Sequence, residues 1–436
     1  MNSDHGNEEI SGHDKQLNEV VKQKRHRNRR KRTYIFLGSA AAVLLAGYLI
    51  MGYILPGPME KLYSPKIQKY IKAVDYDRNF MLAAQNNLLQ ELHVSDTSGA
   101  YELAVGGVIA DEEKAVILYS VSGPDLKEHQ DSTDAIELII EEDKPHSIGY
   151  GHNSPNKNET ITYQSIQLNM EYGEELPKEL KLAMNINEES LEVTFPIDHS
   201  RFAGMREYID MNKSFVVDNQ TVRIHDITLT PLQTMIRMET NTENTKNMNG
   251  FSGLRLADDQ GNSWGEISNG TNGSGEISSG TYIAYMDSIY FNKPDSLSII
   301  VDGAFISDKD QEFVINTATS EMVKAPDQRL DIVEIDQDQD QGYVYLQLEF
   351  TDSAESHNKP PSRVYRLIND HNQFADASGK KYKITGSPQS GFRIGDERTT
   401  LLYTVTIPNE DYKQPLTFEI NEYPKKINQK IDIPVF

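Results

Sequence analysis

The sequence predicts a mainly β protein: one N-terminal transmembrane helix, juxtamembrane helices, then three tandem β-sandwich (Ig-like) domains. Three observations predict it. An uncharged apolar run of 22 residues, 34–55, comes directly after a dense basic block. Beyond it, long stretches alternate apolar and polar residues, the two-residue period of a strand with one buried face. One strand–turn–strand pattern then recurs three times, which is the mark of a repeated structural unit.

The apolar run is long enough, at helical rise, to cross a hydrocarbon core about 30 Å thick. It reads as a retained anchor and not a cleaved signal peptide: 33 residues precede it, and Pro56-Gly57-Pro58 stands in place of a small-residue cleavage site. Eight Lys and Arg crowd residues 22–32. Basic residues resist translocation and are drawn to anionic headgroups, so Arg29, Arg30, Lys31 and Arg32 fix the topology and touch membrane lipid. Residues 1–33 are expected inside the cell and carry a net +4. Since the whole chain carries −23, the remainder, expected outside, carries −27. Such an acidic exterior argues against nucleic acid as a partner, and the tail offers no folded or aromatic support for it.

Next to the anchor, Ser64-Pro65 reads as an N-cap with Pro at the first helical position. Ile67, Tyr70, Ile71 and Val74 then form one helical face. A second helix is expected from about Arg78 to Leu92, with Met81, Ala84, Leu88 and Leu92 in a stripe.

The repeat starts at Tyr101. "ELAVGGVIADEEKAVILYSVSG", "VRIHDITLTPLQTMIRMETN" and "LDIVEIDQDQDQGYVYLQLEF" each read as strand, turn, strand. In the last, Val344, Leu346, Leu348 and Phe350 fall on one face. Each unit later reaches a Pro (Pro177, Pro294, Pro415) leading into an alternating strand, and then a closing strand: "LEVTFPI", "QEFVIN" and "KIDIPV". Alternating strands between Gly, Asn and Asp turns, at about 100 residues per unit, suit a β-sandwich. The expected division is a cytoplasmic tail (1–33), the transmembrane helix (34–55), a helical segment plus first sandwich (58–199), a second (214–316) and a third (329–436). "GEISNGTNGSGEISSG" (265–280) reads as a mobile loop, without the strand-to-helix context of a phosphate cradle.

Candidate chemistry is sparse. Asp336, Asp338 and Asp340 mimic the start of a calcium loop. The sixth and twelfth positions, however, hold Gln341 and Gln347 where Gly and Glu are required, so a solvated hairpin turn is the better reading. His146 and His152 flank "SIGYG" but lack a third metal ligand. Ser378 and Lys381 match SxxK without its companion motifs, and neither HExxH, GxSxG nor a P-loop is present. Trp264 fits either a core edge or an exposed contact. With no Cys, disulfides, thiolate zinc sites and Cys nucleophiles are excluded. The expectation is a protein without catalysis, cofactor or metal, whose loops and sheet edges bind an extracytoplasmic ligand or protein.

The order of tail, span, "RNFMLAAQNNLLQELHVS" and "AYELAVGGVIADEEKAVILYSVSG" resembles an ectodomain family of Bacillus-type, anti-sigma-like membrane regulators partnered with extracytoplasmic-function sigma factors. "TVRIHDITLTPLQTMIRM" is similar to the second domain found behind it. The resemblance implies an exterior that senses the state of the envelope and an interior that holds a sigma factor. Residues 14–25 are the one plausible helix inside, where Leu17, Val20 and Val21 make a small apolar patch for that partner. The alternative is a structural or adhesive envelope protein that sends no signal inward.

Overall fold

The computed structural model describes residues 63–436, except 125, 127–135, 141–143, 152–159, 266–272, 276, 278–279, 339–341, 352–366, 369–372 and 395–398. The expected tail and transmembrane helix therefore lie outside the described residues. Among those described, no helix is long and apolar enough to cross a membrane. The chain divides into two compact units, residues 1–68 and 69–436.

The helical segment is shorter than the sequence predicts. Helix α1 (Ile67–Ile71) starts where Ser64 Oγ accepts from Ile67 N at 3.4 Å. Helix α2 (Arg78–Ala83) is capped by Asp77, whose Oδ1 accepts from Asn79 N at 2.8 Å and Phe80 N at 3.2 Å. It ends in a wide turn in which Asn87 adopts a left-handed φ of 67°, a conformation Asn tolerates better than most residues. The residues expected to continue the helix to Leu92 instead open a strand. Pairing with the neighbouring strand supplies a ladder of backbone hydrogen bonds there, and that outweighs the helical stripe.

The rest is mainly β, in antiparallel sheets. The first stretch supplies β1 (Leu89–Ser98), β2 (Tyr101–Ala110), β3 (Lys114–Ser122), β4 (Ile136–Ile139), β5 (His146–Gly151), β6 (Ile161–Met170), β7 (Glu179–Ile186) and β8 (Glu189–Pro196). They form sheets ordered β1-β2-β3-β6-β5 and β4-β7-β8. Leu103, Ile117, Ile166, Leu168, Leu182 and Phe195 are all fully buried. Each such side chain contributes about 1.5–3 kcal/mol.

The second stretch supplies β9 (Glu207–Val217), β10 (Gln220–Leu229), β11 (Thr234–Thr240), β12 (Lys246–Ser252), β13 (Arg255–Ala257), β14 (Ser263–Gly265), β15 (Gly273–Gly275), β16 (Thr281–Met286) and β17 (Ser298–Asp308). The sheets run β15-β16-β11-β10-β9 and β12-β17-β13-β14, and one core, with Val222, Ile236, Met248, Ile299 and Val301, joins them. The segment expected as a loop at 265–280 thus contains a short edge strand, β15, paired with β16.

The last stretch supplies β18 (Glu312–Asn316), β19 (Glu321–Lys324), β20 (Leu330–Asp338), β21 (Tyr343–Phe350), β22 (Gln373–Ala375), β23 (Lys381–Lys383), β24 (Gln389–Ile394), β25 (Thr399–Pro408), β26 (Leu416–Glu419) and β27 (Lys425–Pro434). Sheets β19-β18-β26-β22-β23 and β20-β21-β25-β24 enclose a core that includes Leu346, Leu348, Phe350, Phe374 and Phe418. The face predicted at Val344, Leu346, Leu348 and Phe350 is the buried one.

The closing strands depart from the sequence reading. In the first stretch, β7 pairs with its own successor β8. "QEFVIN" (β18), expected to close the second unit, instead pairs with β26, from Glu312↔Glu419 to Ile315↔Leu416. "KIDIPV", at the end of β27, returns to pair with β17, from Ser298↔Pro434 to Ile306↔Lys425. The second and third stretches thus exchange closing strands. Gly303 makes room for this: a side chain there would run into the Ile427 carbonyl of β27.

Candidate functional site

Among the described residues, a buried polar cluster lies where the hairpin turn between β2 and β3 meets the equivalent turn between β10 and β11. The first turn closes on itself: Asp111 Oδ1 accepts from Glu113 N at 3.1 Å and Lys114 N at 2.8 Å. Its Oδ2 reaches across to accept from Leu232 N at 2.9 Å. Asp111 is fully buried, which raises its pKa, while Thr230 and the three amides oppose the rise.

Glu113 points to the other side of the turn. Its Oε1 accepts from Arg206 Nη2 at 2.6 Å and from Gly173 N at 3.2 Å, whereas the buried Oε2 has no partner among the described residues. The side chain is only 1% exposed. Burial pushes its carboxyl up to about 7, against the lowering effect of Arg206. Arg206 also lies 3.7 Å from Glu112 and 5.6 Å from the centre of the Tyr172 ring. The Tyr172 hydroxyl donates to Asp226 Oδ1 at 3.0 Å and lies 3.1 Å from Thr228 Oγ1. Arg237 Nε donates to the buried Asp226 at 2.6 Å and its guanidinium also approaches the Tyr172 ring. Tyr172 therefore sits near two guanidinium groups, which its π face favours.

Lys114 faces the helical segment. Its ammonium is buried 5.3 Å from the centre of the Phe80 ring of α2, and among the described residues no carboxylate pairs with it directly. Burial lowers its pKa; Asp77, Asp111 and Asp287 pull the other way. Asn79 Nδ2 donates to Asp287 Oδ1 at 3.0 Å and ties α2 to the end of β16. The cluster thus fastens three parts together: the helical segment, the first sheets and the second sheets.

This arrangement can store a proton and hold a joint. Among the described residues no group of three His, Asp or Glu could hold a metal ion. Nothing in the sequence signals it, because an acidic turn such as "ADEEK" ordinarily faces water.

The residues singled out from the sequence lie elsewhere. Arg29, Arg30, Lys31 and Arg32, and Leu17, Val20 and Val21, fall outside the described residues, as do Asp340 and His152. Asp336 is exposed on β20, in the hairpin with β21, and Asp338 ends the same strand. His146 is exposed, with Nδ1 2.6 Å from Lys144 O. Ser378 Oγ donates to Asp376 at 2.7 Å, and Lys381 pairs with Glu419 at 3.7 Å; the match to SxxK is a turn. Trp264 packs against the second core opposite Leu256, so it is a core edge.

Two family models match the chain. Residues 28–123 match DUF4179, a domain of unknown function, and residues 206–333 match DUF5643, a family of unknown function. DUF4179 is associated with anti-sigma-factor-like membrane regulators. No curated protein matches the sequence. A solved structure, described as the conserved domain protein from Bacillus anthracis, is similar at 11% identity with a TM-score of 0.36, over 55% of this chain and 87% of that one.

Proposed function

We propose that this protein is a single-pass, membrane-anchored extracytoplasmic sensor or binding protein that acts as an anti-sigma-like regulator of envelope-stress transcription. The observation that carries the reading is the extent of the DUF4179 match. It runs without a break from residue 28, inside the basic block, through the apolar run to residue 123, at the end of β3. Basic flank, apolar segment, helical segment and first hairpin thus recur together as one unit, as expected if anchor and exterior work as a pair.

In this reading, residues 34–55 cross the membrane and the −27 exterior, folded as three Ig-like sandwiches, meets an envelope ligand or protein. Leu17, Val20 and Val21 contact a sigma factor, while Arg29, Arg30, Lys31 and Arg32 hold the inner leaflet. The protein acts by binding, without catalysis. Affinity purification of the tagged full chain from membranes tests it. A sigma factor should co-purify, and should be lost when Leu17, Val20 and Val21 are changed together to Asp. Recovery of envelope components with no cytoplasmic partner would favour a structural or adhesive protein instead.

A further inference from the structure

We infer that the contact of Glu113 with Arg206 and Gly173 is a proton-operated latch, which holds the first sheets against the second while Glu113 carries a proton and slackens when it loses it. The inference does not depend on what the cytoplasmic tail contacts.

The geometry comes first. Glu113 is one of two consecutive acids in the β2–β3 turn, and the two are treated very differently. Glu112 is partly exposed at 3.7 Å from the Arg206 guanidinium. Glu113 is buried, with one oxygen shared between Arg206 Nη2 and Gly173 N and the other without a donor among the described residues. A buried carboxylate whose charge is only half paired is costly, whereas the neutral acid leaves at most one polar O–H unpaired, a smaller cost. Oε1 can keep its two donors while the proton resides on Oε2. The buried site therefore suits the neutral acid.

The surroundings agree. The charged and titratable groups that act on Glu113 are Arg206, from the link between β8 and β9, which also reaches Glu112; Asp111, on its own turn; and Tyr285, on β16, whose hydroxyl also feels Glu171, while Lys114 is turned toward Phe80 of the helical segment. Among the described residues Arg206 is the one cation in direct contact, and it already serves Glu112. Asp111, buried two residues away, repels a second negative charge.

The direction comes from linkage. In the closed joint the Glu113 carboxyl titrates at about 7, above its ordinary 4.5. In an opened joint, with water at both oxygens, it returns toward the ordinary value. The closed form binds the proton more tightly, so acid favours closure and rising pH favours opening. Between about pH 6 and pH 8 the closing equilibrium should weaken by about tenfold. Because Asp111, Tyr172 and Asn79 tie the same joint, the change is a loosening and not a separation.

Backbone-amide exchange of the full chain tests the latch. It is followed by mass spectrometry at about pH 6 and pH 8 and corrected for the intrinsic pH dependence of exchange. In the natural protein, the peptide containing Gly173, whose amide Glu113 holds, should be about tenfold better protected at the lower pH, and the peptide containing Leu232, held by Asp111, should change less. Glu113→Gln, which mimics the neutral acid, should be well protected at both values. Glu112→Gln should behave like the natural protein. A flat profile in the natural protein, better protection at the higher pH, or a slope that persists in Glu113→Gln each overturns the inference. Should Glu113→Gln fail to fold, the natural protein's own profile still decides.

Discussion

The first sheets and the later ones solve the same closing problem in different ways. In both, a strand that comes after a Pro needs a partner on its free edge. In the first, β7 takes β8 across a two-residue turn, Asn187-Glu188, with Asn187 at a φ of 53°. Further on, β17 cannot fold back on the adjoining segment, because after three residues the chain has become β18, paired with β26. The free edge of β17 is instead covered by β27, more than a hundred residues further along the chain. A local hairpin can form before the rest of the chain is in place, whereas an exchanged strand can form only with it. The difference predicts two kinds of behaviour: a first region able to open and close by itself, and a second and third that stand or fall together.

The sharpest break of that comparison is Phe418→Ala. Phe418 is fully buried on β26, stacked 4.9 Å from Phe313 of β18 and 5.2 Å from Phe374. Removing it should cost about 3–5 kcal/mol. The unfolding transition of the second region, followed through exchange of β17 amides, should fall with that of the third, and protection of β3 should stay unchanged. Independent loss of the third region would show that the exchange does not couple them.

Gly303→Ala comes next. The added methyl meets the Ile427 carbonyl and should push β27 off β17, with a cost of about 1–3 kcal/mol. Chemical denaturation should show both later regions weakened. The same change at Gly204, an exposed turn glycine with open space around it, should act only through its own positive φ.

The two ends also respond to pH with opposite sign. In the first joint, Glu113 titrates at about 7, above its ordinary range, so its stabilising contribution is present in acid and lost as pH rises through 7. In the third region, burial pushes Asp327 up. Arg329, the Tyr423 hydroxyl at 2.7 Å and a backbone amide more than offset this and hold it at about 2. That contribution is present above the ordinary carboxyl range and is lost as pH falls through about 2. Denaturant titrations from about pH 2 to pH 8 should find the third region weakening at the acid end, and Asp327→Asn should reduce that dependence, leaving the share of Asp376, which is also held at about 2.

The smallest effect belongs to Lys324→Ala. Lys324 pairs with Glu312 at 2.8 Å between β19 and β18, but both side chains are largely exposed. The loss should stay under about 1 kcal/mol. A larger one would mean that the exchanged β18 depends on its edge as well as on its core.

How much of this was legible depends on how local the cause is. The alternation of Val344 to Phe350 fixes which face is buried, because side chains on a strand must alternate. The three strand–turn–strand openings are likewise visible, each being a hairpin closed by nearby residues. The helix expected to reach Leu92 shows the limit. Its stripe is real, but β2 lies within reach and offers a ladder from Leu89 onward. The candidate site was not legible at all. Glu112 and Glu113 are the same residue type, side by side. Only the approach of Arg206 and Gly173 leaves one of them partly exposed and makes the other a buried acid.

The periodicities are written in the chain: an uncharged run beside a basic block, strands with one buried face, and a strand–turn–strand opening that recurs three times. These arise from near neighbours, and near neighbours are what a sequence displays. Partners were settled in three dimensions. Which closing strand serves which sheet, and which carboxyl loses its water, depend on segments brought together from far apart in the chain. Equivalent edges and equivalent acids compete there, and packing alone chooses among them.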